Sequence, residues 1–374
     1  MRLAIDLRSL METRGRISGV ENYLLNILQK LPVQAGDFAF YNSFKDVRMP
    51  SLPQDLQVKR TRIPNKILNI AQSFLGTPKL ESMYGNFDVL WMPDLRPFAV
   101  GKNAKLVVNA HDISPLIHPE FYSLKRRVWH RLISHKKSFE RANLIFTISE
   151  YTKNDLIRFL GLPESKIKVI YPGIDHDVFR ADLNEAGKNE VKQRYNLPEK
   201  FILSISTVEP RKNLASLVRA FNLINDPDVE LVIAGRLGWL YKSLLVQIGN
   251  SHKKDKIHLI GYVSESEKPY LMSRAEIVAY PSFYEGFGFV PLEAMACGVP
   301  VVTSTRTSMP EVCGDAAILV DPYNVSELSA GLESLLNDPE LRHDFIRKGF
   351  ELAKRYQWDS CAGQIWQILR NLKQ

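Results

Sequence analysis

Two α/β domains built on parallel sheets are predicted for this sequence, on three observations. The chain has 374 residues, more than one ordinary core accommodates and comfortable for two. Short β-branched runs alternate with helical patterns along its whole length, as in successive βα units. Those runs are apolar throughout rather than at every second position, as strands covered on both faces are.

In the first half the predicted strands are Leu3–Leu7, Val89–Met92, Leu106–Asn109, Leu144–Ile148 and Lys168–Tyr171. In the second they are Ile202–Ser206, Leu231–Ala234, Ile257–Ile260, Ile277–Tyr280, Val299–Thr303 and Ala317–Val320. Between the two series lie Pro172-Gly173 and a polar stretch from Asp182 to Lys192, where an interdomain linker is expected. The expected division is 1–175 for the first domain and 195–350 for the second. Residues 351–374 continue a helical pattern from Glu340 through Trp366, Leu369 and Leu372, and are expected to fold back across the first domain.

Hydrophobic residues make up 45% of the chain and charged residues 24%, a balance that excludes a disordered or fibrous protein. Three cysteines, Cys297, Cys313 and Cys361, have no spacing for a metal or a disulfide framework and suit a reducing compartment. The N-terminus reads as a strand and not as a signal peptide, because an acid, Asp6, follows only three apolar positions. No apolar run approaches the roughly 20 residues that span a bilayer. A cytoplasmic protein is expected. The net charge of +8 is uneven: residues 1–175 carry +10 and the remainder −2. This asymmetry points to an anionic partner for the first domain alone.

The most informative segment runs from Tyr280 to Pro300. A buried strand ends at Pro281, a loop with Gly286 and Gly288 follows, and Pro291 is placed at the first position of a helix that Gly298 closes. The helix N-terminus then faces the carboxyl end of a parallel sheet, where free N–H groups and the helix dipole attract phosphate. Glycine at 286 and 288 lets a ligand approach that backbone. Glu293 falls in the first turn and could simply support the dipole. Glu285 precedes the helix with no evident packing role, and a carboxylate can accept hydrogen bonds from sugar hydroxyls.

A second cluster, Glu209-Pro210-Arg211-Lys212-Asn213, follows the strand Ile202–Ser206. Asn213 is expected to cap a helix with apolar positions at Leu214, Leu217, Val218, Phe221 and Ile224. Arg211 and Lys212 then stand at the positive end of that helix, mildly disfavoured by about 0.3–1 kcal/mol each. Either both point into solvent, or a bound diphosphate supplies the missing negative charge. In the first domain, Ser18 and Glu21 form a capping box after the glycines at 15 and 19, and His111-Asp112 follows the strand Leu106–Asn109. A lone histidine there is more often structural. Asp175-His176-Asp177 mimics a metal motif but is read as turn chemistry in the linker.

Glu285 and Glu293, eight apart, with Gly-Phe-Gly between them and Glu-Ala-Met-Ala-Cys-Gly-Val-Pro-Val after, resemble the signature of retaining glycosyltransferases of family 4. The resemblance covers nearly the whole chain and is strongest from Ser204 to Pro322. It implies a GT-B architecture: two Rossmann-like, doubly wound domains facing each other across a cleft. It implies that Glu285 contacts the transferred sugar, Glu293 the nucleotide ribose, and the Gly286-Phe287-Gly288 backbone the sugar or diphosphate. It places Lys212 on the diphosphate with Arg211 beside it. Some members carry an arginine six positions before this lysine, where this chain has Ser206, and Arg211 is expected to compensate. His111 is expected to approach the donor sugar, Gly19 to close over the diphosphate, and Tyr262 and Val263 to meet the base.

The expected reaction is metal-independent hexosyl transfer from a nucleotide diphosphate sugar, with retention of anomeric configuration and no further cofactor. The wording Glu-Pro-Arg-Lys-Asn with His-Asp resembles mannosyltransferases of surface polysaccharide assembly, which favours GDP-mannose and a glycan or lipid-linked acceptor. Two competitors are a nucleotide-sugar epimerase on the same architecture and a non-catalytic nucleic-acid-binding protein. The absence of a basic-aromatic recognition module argues against nucleic acid. The segment Leu124–Lys137 carries Leu124, Val128, Trp129, Leu132 and Ile133 among basic residues. That stripe is expected to pack on the sheet, while the charge excess points to peripheral contact with an anionic membrane.

Overall fold

In the computed structural model, which describes residues 1–11, 19–43, 52–133 and 135–372, the chain divides into two units. The first comprises Met1–Ile117, Leu124–Gly173 and Gln357–Gln374, the second His118–Ser123 and Ile174–Tyr356.

The first unit holds the strands β1 (Leu3–Asp6), β2 (Phe38–Asn42), β3 (Gln57–Thr61), β4 (Val89–Met92), β5 (Lys105–Ala110), β6 (Leu144–Thr147) and β7 (Ile167–Val169). They lie in the order β3-β2-β1-β4-β5-β6-β7, and every pairing is parallel. The second unit holds β8 (Phe201–Ile205), β9 (Glu230–Ala234), β10 (Ile257–Gly261), β11 (Ile277–Tyr280), β12 (Val301–Ser304) and β13 (Ile318–Val320). Their order is β10-β9-β8-β11-β12-β13, again parallel throughout. Both sheets are doubly wound. The direction of winding reverses between β1 and β4 in one and between β8 and β11 in the other, which leaves a crevice at the strands' carboxyl ends.

All eleven predicted strands are present. β2 and β3 are additional: β3 is a polar, partly exposed edge strand, and its exposure explains why no apolar run marks it. β2 is wholly buried, but its run Phe38–Tyr41 holds no β-branched residue. Each sheet is covered on both faces. The first core gathers Phe38, Phe40, Leu90, Val108, Ile145 and Leu156, and the second gathers Ile202, Leu217, Phe221, Leu231, Ile277 and Leu332. Trp91 in β4 is fully buried, and its indole donates to Asn109 Oδ1 at 2.9 Å, while Asn109 Nδ2 donates to the Tyr23 hydroxyl at 2.9 Å. A buried indole and phenol need such partners.

The helix Trp358–Asn371 belongs to the first unit and lies on the helix Gly19–Lys30. Trp358, Ile365 and Leu369 are buried there, Lys30 pairs with Asp359 at 2.9 Å, and Arg370 pairs with Asp37. Gly173 has no room for a side chain, because a Cβ would stand 2.1 Å from the Trp358 nitrogen.

One expectation is corrected. Leu124, Val128 and Trp129 on the helix Leu124–Ile133 do not pack on the sheet but are exposed. The cover they were expected to provide comes instead from Phe139, Leu156 and Leu162. The side chains of Leu132 and Ile133 lie outside the described residues, as does Ser18 of the expected capping box.

Candidate functional site

The second unit's switch crevice is built from two loops. One leaves β8 and forms a tight turn, Pro210–Lys212; the other leaves β11 and leads to the helix Phe289–Ala296. Asn213 joins them. It occupies the N-cap position of the helix Leu214–Leu223 but adopts a left-handed conformation (φ 56°), and its side chain makes no capping bond. Its amide donates instead to the carbonyls of Pro281 (3.0 Å) and Pro322 (2.7 Å). The expected cap is thus replaced by a clamp, because the preceding tight turn delivers the residue facing the β11 loop.

The clamp brings Arg211 and Lys212 onto Glu285. Lys212 Nζ lies 2.6 Å from Glu285 Oε1 and donates to the Tyr280 hydroxyl at 2.6 Å. Arg211 donates to Glu285 Oε2 at 2.9 Å, to the Tyr284 carbonyl at 2.8 Å and to Glu209 Oε1 at 3.0 Å. Glu285 and Lys212 are buried, at 6% and 9% exposure. Neither cation points into solvent, and the protein's own carboxylates, Glu209 and Glu285, balance them. Glu209 stands only two residues before Arg211, so this counter-charge lies within reach of the sequence.

Burial opposes the charge of Glu285, yet the Arg211 and Lys212 cations outweigh it and hold the carboxyl down at about 2. Burial also lowers the Lys212 ammonium, with Arg211 adding to the effect and Glu285 opposing it. The Tyr280 phenol is pushed well above its ordinary value by burial and by the charge of Glu285. At neutral pH the site therefore presents an ionised carboxylate and a protonated phenol, with Arg211 and Lys212 paired to that carboxylate.

The β11 loop is held from behind. The Glu285 amide donates to Thr307 Oγ1 (3.1 Å), and Ser308 Oγ donates to the carbonyls of Glu285 (3.0 Å) and Phe287 (2.8 Å). Thr307 has φ 59°, an uncommon conformation for a β-branched residue. Neither residue was singled out from sequence; the polar run Ser304–Ser308 after β12 was the available signal. Phe287 is buried edge-on between Phe289 (5.2 Å) and Tyr356 (5.6 Å), which anchors the loop. Gly286 lies between these two anchors. Gly288 is the N-cap at φ 111°, where a Cβ would meet Met309 Cε at 2.2 Å. Pro291 is the third residue of the helix rather than the first. That position is tolerated because the amide it lacks is among those without an intrahelical partner.

Glu293 stands apart from this cluster. It is buried on the helix and paired with Lys268 at 2.6 Å. Burial raises its pKa above the ordinary carboxylate value, against the pull of Lys268. Beyond β10, Tyr262 is partly exposed and Val263 buried. Gly235, at the end of β9, has φ 138° and a Cβ position 1.7 Å from the Ser206 carbonyl oxygen, so only glycine fits.

In the first unit His111 follows β5. Its Nε2 lies 2.7 Å from the Pro93 carbonyl oxygen, and its ring meets Tyr23 edge-on at 5.0 Å. The Asp112 carboxylate accepts from the Ser114 amide (3.0 Å) and hydroxyl (2.7 Å), which is turn chemistry. Gly19 is the exposed first residue of its helix. Asp175 Oδ1 accepts from the amides of Asp177 (3.1 Å) and Val178 (3.3 Å), which is turn chemistry. Among the described residues, no group of three or more His, Cys, Asp or Glu could hold a metal ion. None of their helices is long and apolar enough to cross a membrane.

Residues 187–352 match the family model described as glycosyl transferases group 1, and residues 17–178 that of glycosyltransferase family 4. The chain is 35% identical over 264 residues to the O-antigen chain mannosyltransferase B of Escherichia coli, covering 70% of this chain and 68% of that protein. It is 26% identical over 263 residues to the serotype-specific mannosyltransferase WbdA of the same organism, covering 69% of this chain. The chain spans only 32% of the length of WbdA. Among solved structures, Anabaena HepE in complex with UDP and glucose shares the fold, with a TM-score of 0.76, 21% identity and 100% of both chains covered.

Proposed function

The chain belongs to the group 1 glycosyltransferases of family 4, and from that premise we propose that it moves a mannosyl group from GDP-mannose to a hydroxyl of a glycan or lipid-linked acceptor, with retention of configuration. The observation that carries this reading is the convergence of Lys212 and Arg211 on Glu285 at the second unit's switch crevice. The acceptor oxygen bonds to the anomeric carbon, the bond from that carbon to the diphosphate breaks, and the acceptor's proton passes to the departing phosphate oxygen on the same face.

Each residue has a part that its chemistry supports. Lys212, Arg211 and the helix N-terminus after Gly288 stabilise the charge of the leaving diphosphate. A carboxyl held at about 2 is a weak base and no acid at neutral pH, and both its oxygens are engaged by cations. Glu285 therefore acts by accepting hydrogen bonds from sugar hydroxyls rather than as a nucleophile. His111 approaches the donor sugar, Gly19 closes on the diphosphate, Glu293 binds the ribose, and Tyr262 and Val263 meet the base. The two cations supply what a metal would otherwise supply, so transfer is metal-independent. The mannosyltransferase names of the two curated relatives support the choice of sugar. The +10 charge of residues 1–175 supports work at the anionic inner face of a membrane.

A thermal-shift screen of GDP, UDP and ADP sugars tests the donor, because a specific ligand stabilises the fold by mass action. GDP-mannose is expected to give the largest shift, followed by mannose transfer to a polyprenyl-linked glycan. A larger shift with UDP-glucose would overturn the donor assignment. Turnover of the nucleotide sugar to an epimer without any acceptor would overturn the reaction.

A further inference from the structure

The helix from Asn65 to Leu75, whose last turn is π-helical, shows two unlike faces. Leu68 and Gln72, four apart, are buried at 1% and 3% exposure. Gln72 fixes the helix in place: its Oε1 accepts from Arg8 at 3.2 Å and its Nε2 donates to the Pro78 carbonyl at 3.1 Å. The other face carries Ile67, Ile70, Phe74 and Leu75, exposed at 62%, 58%, 65% and 73%. At spacings of three, seven and eight from Ile67 these form one apolar row. The row cannot rotate inward without breaking the Gln72 bonds. Four large apolar side chains left in water on one helix face mark an interaction surface rather than chance exposure.

The charge along this stretch of chain has one sign. Between Asp55 and Glu81 the only charged residues are Lys59, Arg60, Arg62, Lys66 and Lys79. Arg62, Lys66 and Lys79 are exposed. Beside the helix, Gln72, Ser73 and Gly76 line a groove together with Lys137 and Arg141. Those two belong to the segment 124–141, which holds seven basic residues and one acid.

We propose that the face of the helix Asn65–Leu75 is the surface by which this protein docks on an anionic lipid bilayer. A second copy of the chain would set this basic face against itself and be repelled. A bilayer interface supplies apolar depth for a row one helix wide, and anionic headgroups for the surrounding cations, without requiring shape complementarity. The inference deepens the reading of a membrane-borne acceptor and rests on it for its purpose alone, since lipid binding is measured without sugar transfer. The anchor is this helix and not the exposed Leu124–Ile133 helix that the sequence singles out.

The test is sedimentation of the full chain with vesicles of phosphatidylglycerol, with vesicles of phosphatidylcholine, and without vesicles, at low and high salt. Wild type is compared with the triple change Ile67→Asn, Ile70→Asn, Phe74→Asn and with Lys66→Ser, Lys79→Ser. Wild type is expected to pellet with phosphatidylglycerol at low salt and to be released at high salt. The triple variant should bind at least about tenfold more weakly. Each lysine removed should weaken binding about fivefold. The altered side chains are already in water, so melting curves should be unchanged; Phe74→Asn alone serves if the triple variant melts early. Equal pelleting of wild type and apolar variant overturns the proposal, as does wild-type binding to phosphatidylcholine that salt does not reduce. Failure of wild type to pellet overturns it too. Self-association of wild type without vesicles, abolished in the triple variant, assigns the face to a second copy instead. Lipid binding without any sugar transfer keeps this surface and removes the transferase reading of its purpose.

Discussion

At the switch between β1 and β4, Arg8 grips Asp6 at 2.7 Å and spends its remaining donors on Gln72 and the Pro97 carbonyl; at the switch between β8 and β11, Arg211 and Lys212 converge on Glu285. Both sets of side chains are buried or nearly so, and both lie at the carboxyl ends of doubly wound parallel sheets. The first is a closed pair, one cation to one carboxylate, completed by backbone and amide. The second joins two cations on adjacent residues to Glu285 beside a helix N-terminus, with Glu209 also paired to Arg211. In the proposed function the diphosphate engages the two cations of the second set, whereas the single cation of the first is committed to Asp6, Gln72 and Pro97. Topology chooses where a ligand can sit, and the residues placed there choose whether one does.

The comparison is most exposed to substitutions within the two pairs. Lys212→Met and Glu285→Gln are each expected to lower the transfer rate by about 10²–10³, since each removes a preorganised charge contact. Each also strands its buried partners, at a cost of about 3–5 kcal/mol of stability, so rates are read per folded protein well below the melting point. Arg8→Met carries a similar stability cost for the same reason but should leave turnover of the folded fraction within a few-fold. An equal loss of turnover in Arg8→Met would erase the distinction between a structural and a functional pair.

His111→Ala should have a smaller effect, about 10- to 100-fold, the worth of one hydrogen bond to a charged group. Single-turnover rates at saturating donor would separate a loss in the chemical step from a loss in binding.

Acidification sharpens the contrast between Glu285 and Glu293. The carboxyl of Glu285 is held at about 2 when folded and returns to the ordinary range near 4.5 when unfolded. Its contribution is therefore complete above 4.5 and lost as pH falls from there towards 2. Glu293, raised by burial, acts in the opposite sense: its contribution is present at acid pH and lost as pH rises through its elevated folded value. Melting temperatures recorded from pH 7 to 3 should fall steeply below 4.5 in wild type and less steeply in Glu285→Gln. Parallel curves would show that Glu285 is not clamped as described.

The smallest expected effect is none. If Arg211 and Lys212 serve the diphosphate as proposed, EDTA should leave transfer unchanged; loss of activity restored by magnesium or manganese would show that they do not suffice.

Much of this was legible from residue order. Ile277–Tyr280 reads as a buried strand because every position is apolar, and the glycines at 286 and 288 mark a backbone that must stay bare. Lys212 and Arg211 were identifiable as cations at a helix start. Of their counter-charges, Glu209, two residues before Arg211, was within reach of a local reading, but Glu285 was not, because the fold closes 74 residues of chain between it and Arg211. Thr307 and Ser308 escaped notice for the same reason: their hydrogen bonds run 22 and 23 residues back to the Glu285 loop.

The sequence by itself determined two parallel α/β units, the strands at their centres and the loop that carries Glu285. Apolar runs, turn residues and caps act locally and over short spacings, so they can be read in order. Only the tertiary structure decided that Asn213 clamps two loops instead of capping its helix. It alone decided that Glu285 and Glu293 titrate in opposite directions, and that the apolar faces of two helices stay in water. Those outcomes depend on which groups meet after the sheets have wound. The energy of a buried charge or an apolar face is set by its neighbours in space, and winding order does not appear in residue order.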